Sequence, residues 1–254
     1  MKPIWRHILG ALTIALFLAV WIISSGMATS RRRGKTCQGI KVEISDSLER
    51  RFVAKEDVRE WMQDYGVYMG LPLDSVRLDR IETTMDSRSA VRKSQAWLTE
   101  DGYIHIALTQ REPVIRFQDG NNGFYADASG FIFPLQSRFC VRVPIVDGEL
   151  PLNVARGFKG DRSDDKWLMQ MLGMAAWMES SPWDGIISQI SVNADGDIVL
   201  IPREGRERFI FGAPDRIEDK LRLIRRYYEA IKPNTEKGKY AWVDVRQKGQ
   251  IVCR

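Results

Sequence analysis

Histidine and cysteine are scarce in this 254-residue chain, and their scarcity excludes several kinds of site. The only imidazoles are His7 and His105, and the three cysteines, Cys37, Cys140 and Cys253, are far apart in sequence. No CxxC, HxxxH or mixed Cys/His cluster occurs, so no zinc site is expected. At most one intramolecular disulfide can form, and the sequence leaves the state of the three thiols open.

Motifs for nucleophilic catalysis and for nucleotide binding are also absent. The chain has no Gly-x-Ser-x-Gly elbow and no Gly-x-Gly-x-x-Gly loop. A catalytic triad would need His105, which alternates with Ile104 and Ile106 and is therefore expected on the exposed face of a strand. Cys140 lies in an apolar run that predicts a strand and a small buried side chain. Paired carboxylates for glycan cleavage have no fixed sequence spacing and stay open.

The positive charge of the chain is concentrated near its start. The formal net charge is +5, and residues 1–35 contain six basic residues and no acidic one. The remaining 32 basic and 33 acidic residues nearly cancel. The body of the chain therefore lacks the basic surface that nucleic-acid binding requires.

A long uncharged segment follows the first basic residues. Residues 8–30 contain no charge and are mostly aliphatic or aromatic. As a helix this segment is about 34 Å long, enough for a hydrocarbon core of about 30 Å. It predicts a single transmembrane helix over 8–30, after a tail over 1–7 and before a basic juxtamembrane linker over 31–38. A signal peptide cleaved near Ser25-Gly26-Met27-Ala28 is the alternative.

The rest of the chain predicts an α+β fold in two parts. The first has the order β-α-α-β-β, with strands over 40–44, 90–98 and 103–109 and helices over 55–65 and about 76–85. The second is a mostly antiparallel β domain with helices over 167–179 and 214–231. Its strands are predicted over 114–117, 124–126, 131–133, 186–192, 197–201, 208–211, 240–245 and 250–253.

Several short motifs occur here in a characteristic order. The first part contains Val76-x-Leu78-x-x-Ile81, Ala90-Val91 and Ile104-x-Ile106-x-Leu108. Arg111-Glu112-Pro113-Val114, Tyr125-Ala126-Asp127-x-x-Gly130, Val143–Gly148, Lys220-Leu221 and Trp242–Arg246 follow. In these motifs and their spacing the chain resembles the bacterial cell-division FtsQ (DivIB) family over essentially its whole length.

The resemblance implies a polypeptide-transport-associated (POTRA) domain over 39–111 and a C-terminal β domain over 112–254. It implies a non-catalytic divisome scaffold, without cofactor or small-molecule substrate, that holds FtsB- and FtsL-like membrane proteins and helps control septal peptidoglycan synthesis. Other divisome membrane proteins are implied to bind the POTRA domain. The implied location is the cytoplasmic (inner) membrane at the division septum, with a cytoplasmic tail over 1–7.

Two arguments conflict over the side of the membrane on which the large domains lie. Two basic residues precede the segment and four follow it, so the charge bias alone places the large domains in the cytoplasm. The resemblance implies that residues 31–254 lie outside the cytoplasm. We follow the resemblance because it covers both domains, whereas the bias rests on a few charges.

Two other functions stay open from the sequence. The first is a membrane-anchored envelope enzyme such as a peptidoglycan hydrolase. The second is a POTRA-containing adaptor for protein secretion, which would need an outer-membrane barrel as its partner. Turnover of cell-wall fragments would support the enzyme, and binding without turnover the scaffold.

The end of the chain supplies the predicted partner site. Gly249 allows a turn after the strand over 240–245, and residues 250–253 are expected to return as an outermost strand with unpaired backbone groups. Such an edge suits strand addition by a partner, and the resembling family receives FtsB in this region. Tyr240 and Trp242 are expected to share one face, against either the partner or the helix over 214–231. The predicted partner-binding residues are Tyr240, Trp242, Arg246, Gly249, Gln250, Ile251 and Val252.

Overall fold

The computed structural model describes residues 13–22, 34–45, 51–66, 68–179, 186–236 and 239–254. These residues divide into two compact units, and the boundary along the chain lies between Gln110 and Arg111. Residues 51 and 52 precede the first long helix of unit 1 in sequence but belong to unit 2.

The predicted membrane segment is described only in part. Residues 13–22 form a helix, α1, whose large apolar side chains are exposed. Residues 8–12 and 23–30 lie outside the described residues, as do the tail over 1–7 and the arginines at 31–33. Among the described helices, none combines the length and the apolar character needed to cross a bilayer.

The first unit is a three-stranded sheet with two helices on one face. Its strands run in the order β1-β3-β2, with β1 parallel and β2 antiparallel to the central β3. The structure confirms the predicted β-α-α-β-β order. The elements are β1 (Gly39–Ile44), α2 (Lys55–Tyr65), a 3-10 turn (Leu73–Ser75), α3 (Leu78–Asp86), β2 (Val91–Leu98) and β3 (Tyr103–Gln110).

The alternation of side chains along β3 determines which residues of this strand enter the core of the first unit. Every second side chain of the strand points toward the helices and is fully buried, because successive side chains of a strand point to opposite faces. The helices supply apolar side chains three to four residues apart, which lie on one helical face. The buried residues are Ile104, Ile106 and Leu108 from β3, Val58 and Met62 from α2, and Ile81 and Met85 from α3.

The second unit contains a ten-stranded sheet in the order β13-β12-β11-β10-β9-β7-β4-β5-β6-β8. Only the pairs β4–β7, β7–β9 and β11–β12 are parallel, so the prediction of a mostly antiparallel sheet is confirmed. After α5 the chain continues through a π-helical turn (Tyr227–Ile231) and a 3-10 turn (Lys232–Asn234). The elements are β4 (Pro113–Asp119), β5 (Asn122–Asp127), β6 (Phe131–Pro134), β7 (Ile145–Gly148), β8 (Gly160–Asp161), α4 (Lys166–Glu179), β9 (Ile187–Val192), β10 (Ile198–Pro202), β11 (Arg208–Gly212), α5 (Ile217–Arg226), β12 (Trp242–Asp244) and β13 (Val252–Cys253).

Helices α4 and α5 pack on the same face of this sheet. A single apolar core lies between the helices and the sheet, and it receives alternate side chains from nearly every strand. Phe117 on β4 and Phe209 and Phe211 on β11 are fully buried there. Burying each such side chain contributes roughly 1.5–3 kcal/mol, so the core orders the strands.

Three local predictions for this unit are wrong. Cys140 does not lie in a strand, and its side chain is exposed. Residues 135–144 are irregular, and the carbonyl of Pro144 accepts a bond of 3.0 Å from the Arg116 N–H. The strands β7 and β8 were not predicted as strands, and α5 begins at Ile217 rather than at 214. All three cysteines are free thiols.

A nearly buried ion pair holds the start of the second unit. Arg111 Nη1 lies 2.9 Å from Asp127 Oδ2, and the guanidinium lies 3.3 Å from the ring centroid of Phe131. The other carboxylate oxygen accepts the backbone N–H groups of Ser129 and Phe131, at 3.0 and 3.1 Å. Asp127 therefore joins Arg111, two residues before β4, to the β5–β6 turn, so the Arg-Glu-Pro and Tyr-Ala-Asp-x-x-Gly motifs are in direct contact in the fold.

We predict that Asp127→Ala destabilises the protein by about 3–5 kcal/mol, because it leaves the Arg111 charge buried without its partner and removes the acceptor of the turn. The measurement is the free energy of unfolding of the unit from urea denaturation. Glu149→Ala, which removes an exposed carboxylate of the same unit, is the control and should change that free energy by less than about 0.5 kcal/mol. Equal values for both variants would contradict this role of the ion pair.

Candidate functional site

The outermost strand β13 presents backbone groups that pair with no other described residue. The Arg254 N–H donates to the Trp242 carbonyl at 2.9 Å and the Trp242 N–H to the Arg254 carbonyl at 3.0 Å, so these two residues form a hydrogen-bonded pair. Cys253 lies opposite Val243 in the next, non-hydrogen-bonded pair. In an antiparallel ladder the N–H and C=O of such a residue point away from the partner strand. By the same alternation the backbone N–H and C=O groups of Ile251 also point outward, and no described strand lies on that side.

Apolar side chains flank this edge on both faces of the sheet. Ile251 and Cys253 pack against the apolar core on the helix-covered face. Trp242 and Val252 lie on the opposite face, and each is 39% exposed. Arg208 on β11 pairs with Trp242, with its guanidinium carbon 5.6 Å from the ring centroid. A strand added to β13 would therefore meet apolar surface on both faces.

A β-bulge separates the two aromatic residues of this region. The N–H groups of Ala241 and Trp242 both donate to the carbonyl of Arg254, at 2.8 and 3.0 Å. Two residues of one strand thus oppose one residue of its neighbour, which reverses the alternation at that point. Tyr240 packs against the core, whereas Trp242 is exposed on the other face. The prediction that Tyr240 and Trp242 share one face is therefore wrong.

The remaining predicted site residues lie in the turn between β12 and β13. Gly249 has a φ of +71°, a conformation that glycine adopts without strain. The Gln250 N–H donates to the Gln247 carbonyl at 3.4 Å, a long bond that closes the turn loosely. The structure thus brings Ile251, Val252 and Trp242 together at the edge and places Gly249 and Gln250 beside it.

Arg246 is bound to two carboxylates of its own chain. Its Nη2 lies 2.6 Å from Asp244 Oδ2, and its Nη1 lies 2.7 Å from Asp197 Oδ2. The hydrogen bond from Arg246 holds the pKa of Asp244 below its ordinary value, and the same bond raises the pKa of Arg246. The Asp244-x-Arg246 spacing on a strand hints at this pair, but Asp197 lies too far away in sequence to be found that way.

A cavity of about 720 Å³ next to Tyr240 bears on the enzyme alternative. Its most buried carboxylate, Glu207, lies 2.5 Å from Lys232 Nζ. Burial opposes ionisation of Glu207, but the hydrogen bonds from Lys232 and the backbone outweigh it and lower its pKa. The general acid of a glycosidase needs the opposite shift. In the described part of the chain no group of three or more His, Cys, Asp or Glu is placed to bind a metal.

His105 has a packing role in the first unit. It lies opposite Trp97 in the β2–β3 ladder, and the two rings stack with centroids 5.2 Å apart. The side chain is half-buried by this stacking, rather than exposed as predicted from alternation alone. A cross-strand aromatic pair of this kind stabilises the sheet.

Comparison with protein families identifies the chain. Residues 112–254 match the family model described as FtsQ/DivIB, C-terminal related, and residues 35–109 match the model of a POTRA-like domain. The chain belongs to the FtsQ/DivIB family. The family predicted from the motifs is confirmed, and its domains indicate a cell-division scaffold. Comparison with curated proteins gives no significant match.

The FtsQ/DivIB-related domain contains all the residues of the candidate edge. β13, the bulge at Ala241 and the Arg246 ion pairs all lie within residues 112–254, which the family model matches. The POTRA-like match ends at 109, just before the ion-paired Arg111.

We predict that acid loosens the β12–β13 region of this FtsQ/DivIB-family chain. The pKa of Asp244 is lowered from 3.8, so its stabilising bond is complete above that pH and is lost as the pH falls through the lower folded value. The NMR signal of the Trp242 indole should therefore shift as the pH falls below 3.8. Asp244→Asn should abolish this step, while the Leu200 amide signal reports that the core persists. A pH step that survives in Asp244→Asn would assign it to another carboxylate.

Proposed function

We propose that this protein is a non-catalytic scaffold of the bacterial divisome. Its edge strand β13 captures FtsB- and FtsL-like membrane proteins by strand addition, and the complex helps control septal peptidoglycan synthesis. The observation that carries this proposal is the outward direction of the N–H and C=O groups of Ile251 and Cys253 at the end of a ten-stranded sheet.

Strand addition fits the chemistry of this edge better than side-chain docking alone. An extended partner segment supplies the N–H and C=O groups that Ile251 and Cys253 need, and these bonds do not depend on the partner's sequence. The apolar side chains on both faces, Trp242 and Val252 on one and Ile251 on the other, select segments with apolar residues at consecutive positions, because successive side chains of the added strand point to opposite faces.

The proposal includes a membrane anchor. Residues 8–30 form the span in the cytoplasmic (inner) membrane, and residues 31–254 lie outside the cytoplasm, where the protein gathers at the septum. The support is the 23-residue uncharged sequence and the resemblance to the FtsQ/DivIB family, which implies that the large domains lie outside the cytoplasm.

The first unit receives a separate part of the proposal. We assign to this POTRA-like unit the binding of other divisome membrane proteins. Its three-stranded sheet has two edges, β1 and β2, and its helix-free face carries the stacked Trp97 and His105 pair. These features support a binding module rather than an enzyme.

We predict an alternating pattern of amide protection when the full chain in detergent binds the FtsB-like protein of the same organism. The amides of Ile251 and Cys253 should gain at least about tenfold protection from hydrogen exchange. The Arg254 amide is already bonded to Trp242 and should gain little. Residue-resolved hydrogen exchange measures this pattern, and uniform protection of residues 250–254 would contradict strand addition.

The matched variants are Ile251→Pro and Ile251→Ala. Both remove the isoleucine side chain, but only proline removes the outward N–H. Ile251→Pro should weaken capture at least about tenfold more than Ile251→Ala and should fail to support septation in cells depleted of the native protein. Thermal unfolding confirms that both variants fold. Equal capture by the two folded variants would move the binding surface elsewhere.

We also predict the direction of the membrane segment. A reporter that is active only in the cytoplasm should stay silent when fused after Arg254, and one that is active only outside should report. The same reporters fused to a known cytoplasmic protein are the control. Strong cytoplasmic activity would contradict the proposed location and would favour the direction that the flanking charges indicate.

A further inference from the structure

The Arg246 side chain is 45% exposed, but its guanidinium binds carboxylates of its own chain. Besides the two short bonds to Asp244 and Asp197, its Nε lies 3.1 Å from both oxygens of Asp244. All three guanidinium nitrogens therefore contact carboxylates within the chain. The carboxylates are 16% and 22% exposed, so these bonds are partly shielded from water.

The two carboxylates belong to different elements of the sheet. Asp244 is the last residue of β12, whereas Asp197 lies in the turn between β9 and β10. The backbone of Arg246 is held as well, because its N–H donates to Asp244 at 3.0 Å and its carbonyl accepts Arg216 Nη2 at 2.8 Å. Arg246 thus ties the start of the β12–β13 turn to the body of the sheet and to the residue preceding α5.

Gly212 makes room for the arginine stem. A Cβ added at Gly212 would lie 2.8 Å from Arg246 Cγ, closer than real Cβ contacts, and the glycine has a φ of +77°. The stem therefore passes directly over the backbone at the end of β11. The clamp consists of Arg246, Asp197, Asp244 and Gly212.

The strand that follows the clamp is weakly held by its own bonds. β13 has two residues, and the turn before it is closed by one long hydrogen bond. Short edge strands with few bonds open locally at small free-energy cost. The fixed position of Arg246 limits the conformations of the turn and so keeps β13 in register with β12.

We propose that Arg246 is a positioning residue for the edge, and that it acts by holding β13 on the sheet rather than by contacting the partner. This rests on the proposed strand addition and replaces the expectation that Arg246 binds the partner directly. Its guanidinium has no nitrogen without a carboxylate partner, whereas the outward groups of Ile251 and Cys253 depend on the register that the clamp maintains.

Asp197→Ala tests this inference at a distance from the edge. In the free full-length protein it should lower the hydrogen-exchange protection of the Arg254 and Trp242 amides about tenfold, with the Leu200 amide unchanged. Arg246→Ala should give a larger loss. Arg246→Lys should rescue little of it, because one ammonium group does not reproduce the fork that reaches both carboxylates. Arg222→Ala removes an exposed arginine of α5 and should change nothing.

Capture of the FtsB-like protein by the same variants separates the two proposals. Capture should weaken in the same order as the amide protection falls. Weaker capture by Arg246→Ala with full protection of Arg254 would mean direct contact and would overturn the positioning role. Unchanged capture of the FtsB-like protein by a variant whose Arg254 amide has lost its protection would also overturn the positioning role. Equal capture by the folded Ile251→Pro and Ile251→Ala proteins would instead overturn strand addition itself.

Discussion

Burial of one face of the ten-stranded sheet under α4 and α5 is the constraint on which the second unit depends. Because side chains alternate along each strand, this burial decides which residues enter the core and which face away from the helices. Phe209 and Val243 lie side by side in the core, and their neighbours Arg208 and Trp242 are consequently paired on the opposite face. The exposed aromatic surface at the edge is thus a result of core packing.

Most elements were predictable because their signals are local. In β3 large apolar residues occupy every second position, β11 is a short apolar run, and in α4 apolar residues recur with helical spacing. Cys140 was misplaced because an apolar run forms a strand only where a neighbouring strand supplies hydrogen bonds, and no described strand pairs with residues 139–143. β7 lies between β4 and β9 in parallel ladders, and this pairing depends on strands far away in sequence.

The candidate site shows the same division between local and distant effects. The edge strand was predictable from the Gly249 turn and from the short apolar run over 251–253 that follows it. The bulge was not, because it depends on the carbonyl of Arg254 accepting two N–H groups from another strand. Without the bulge Tyr240 and Trp242 would lie on one face. The role of Arg246 also required the structure, because Asp197 comes from a separate hairpin.

The small size of the edge determines what holds a partner there. Both ends of the sheet are two-residue strands, β8 and β13, which limits unspecific pairing between sheets. The outward groups of Ile251 and Cys253 allow four hydrogen bonds, worth about 0.5–1.5 kcal/mol each in net terms. About 4 kcal/mol corresponds to a dissociation constant near 1 mM, too weak for a lasting complex. Burial of Trp242, Val252 and Ile251 must therefore supply most of the affinity, and these side chains determine which strands are accepted.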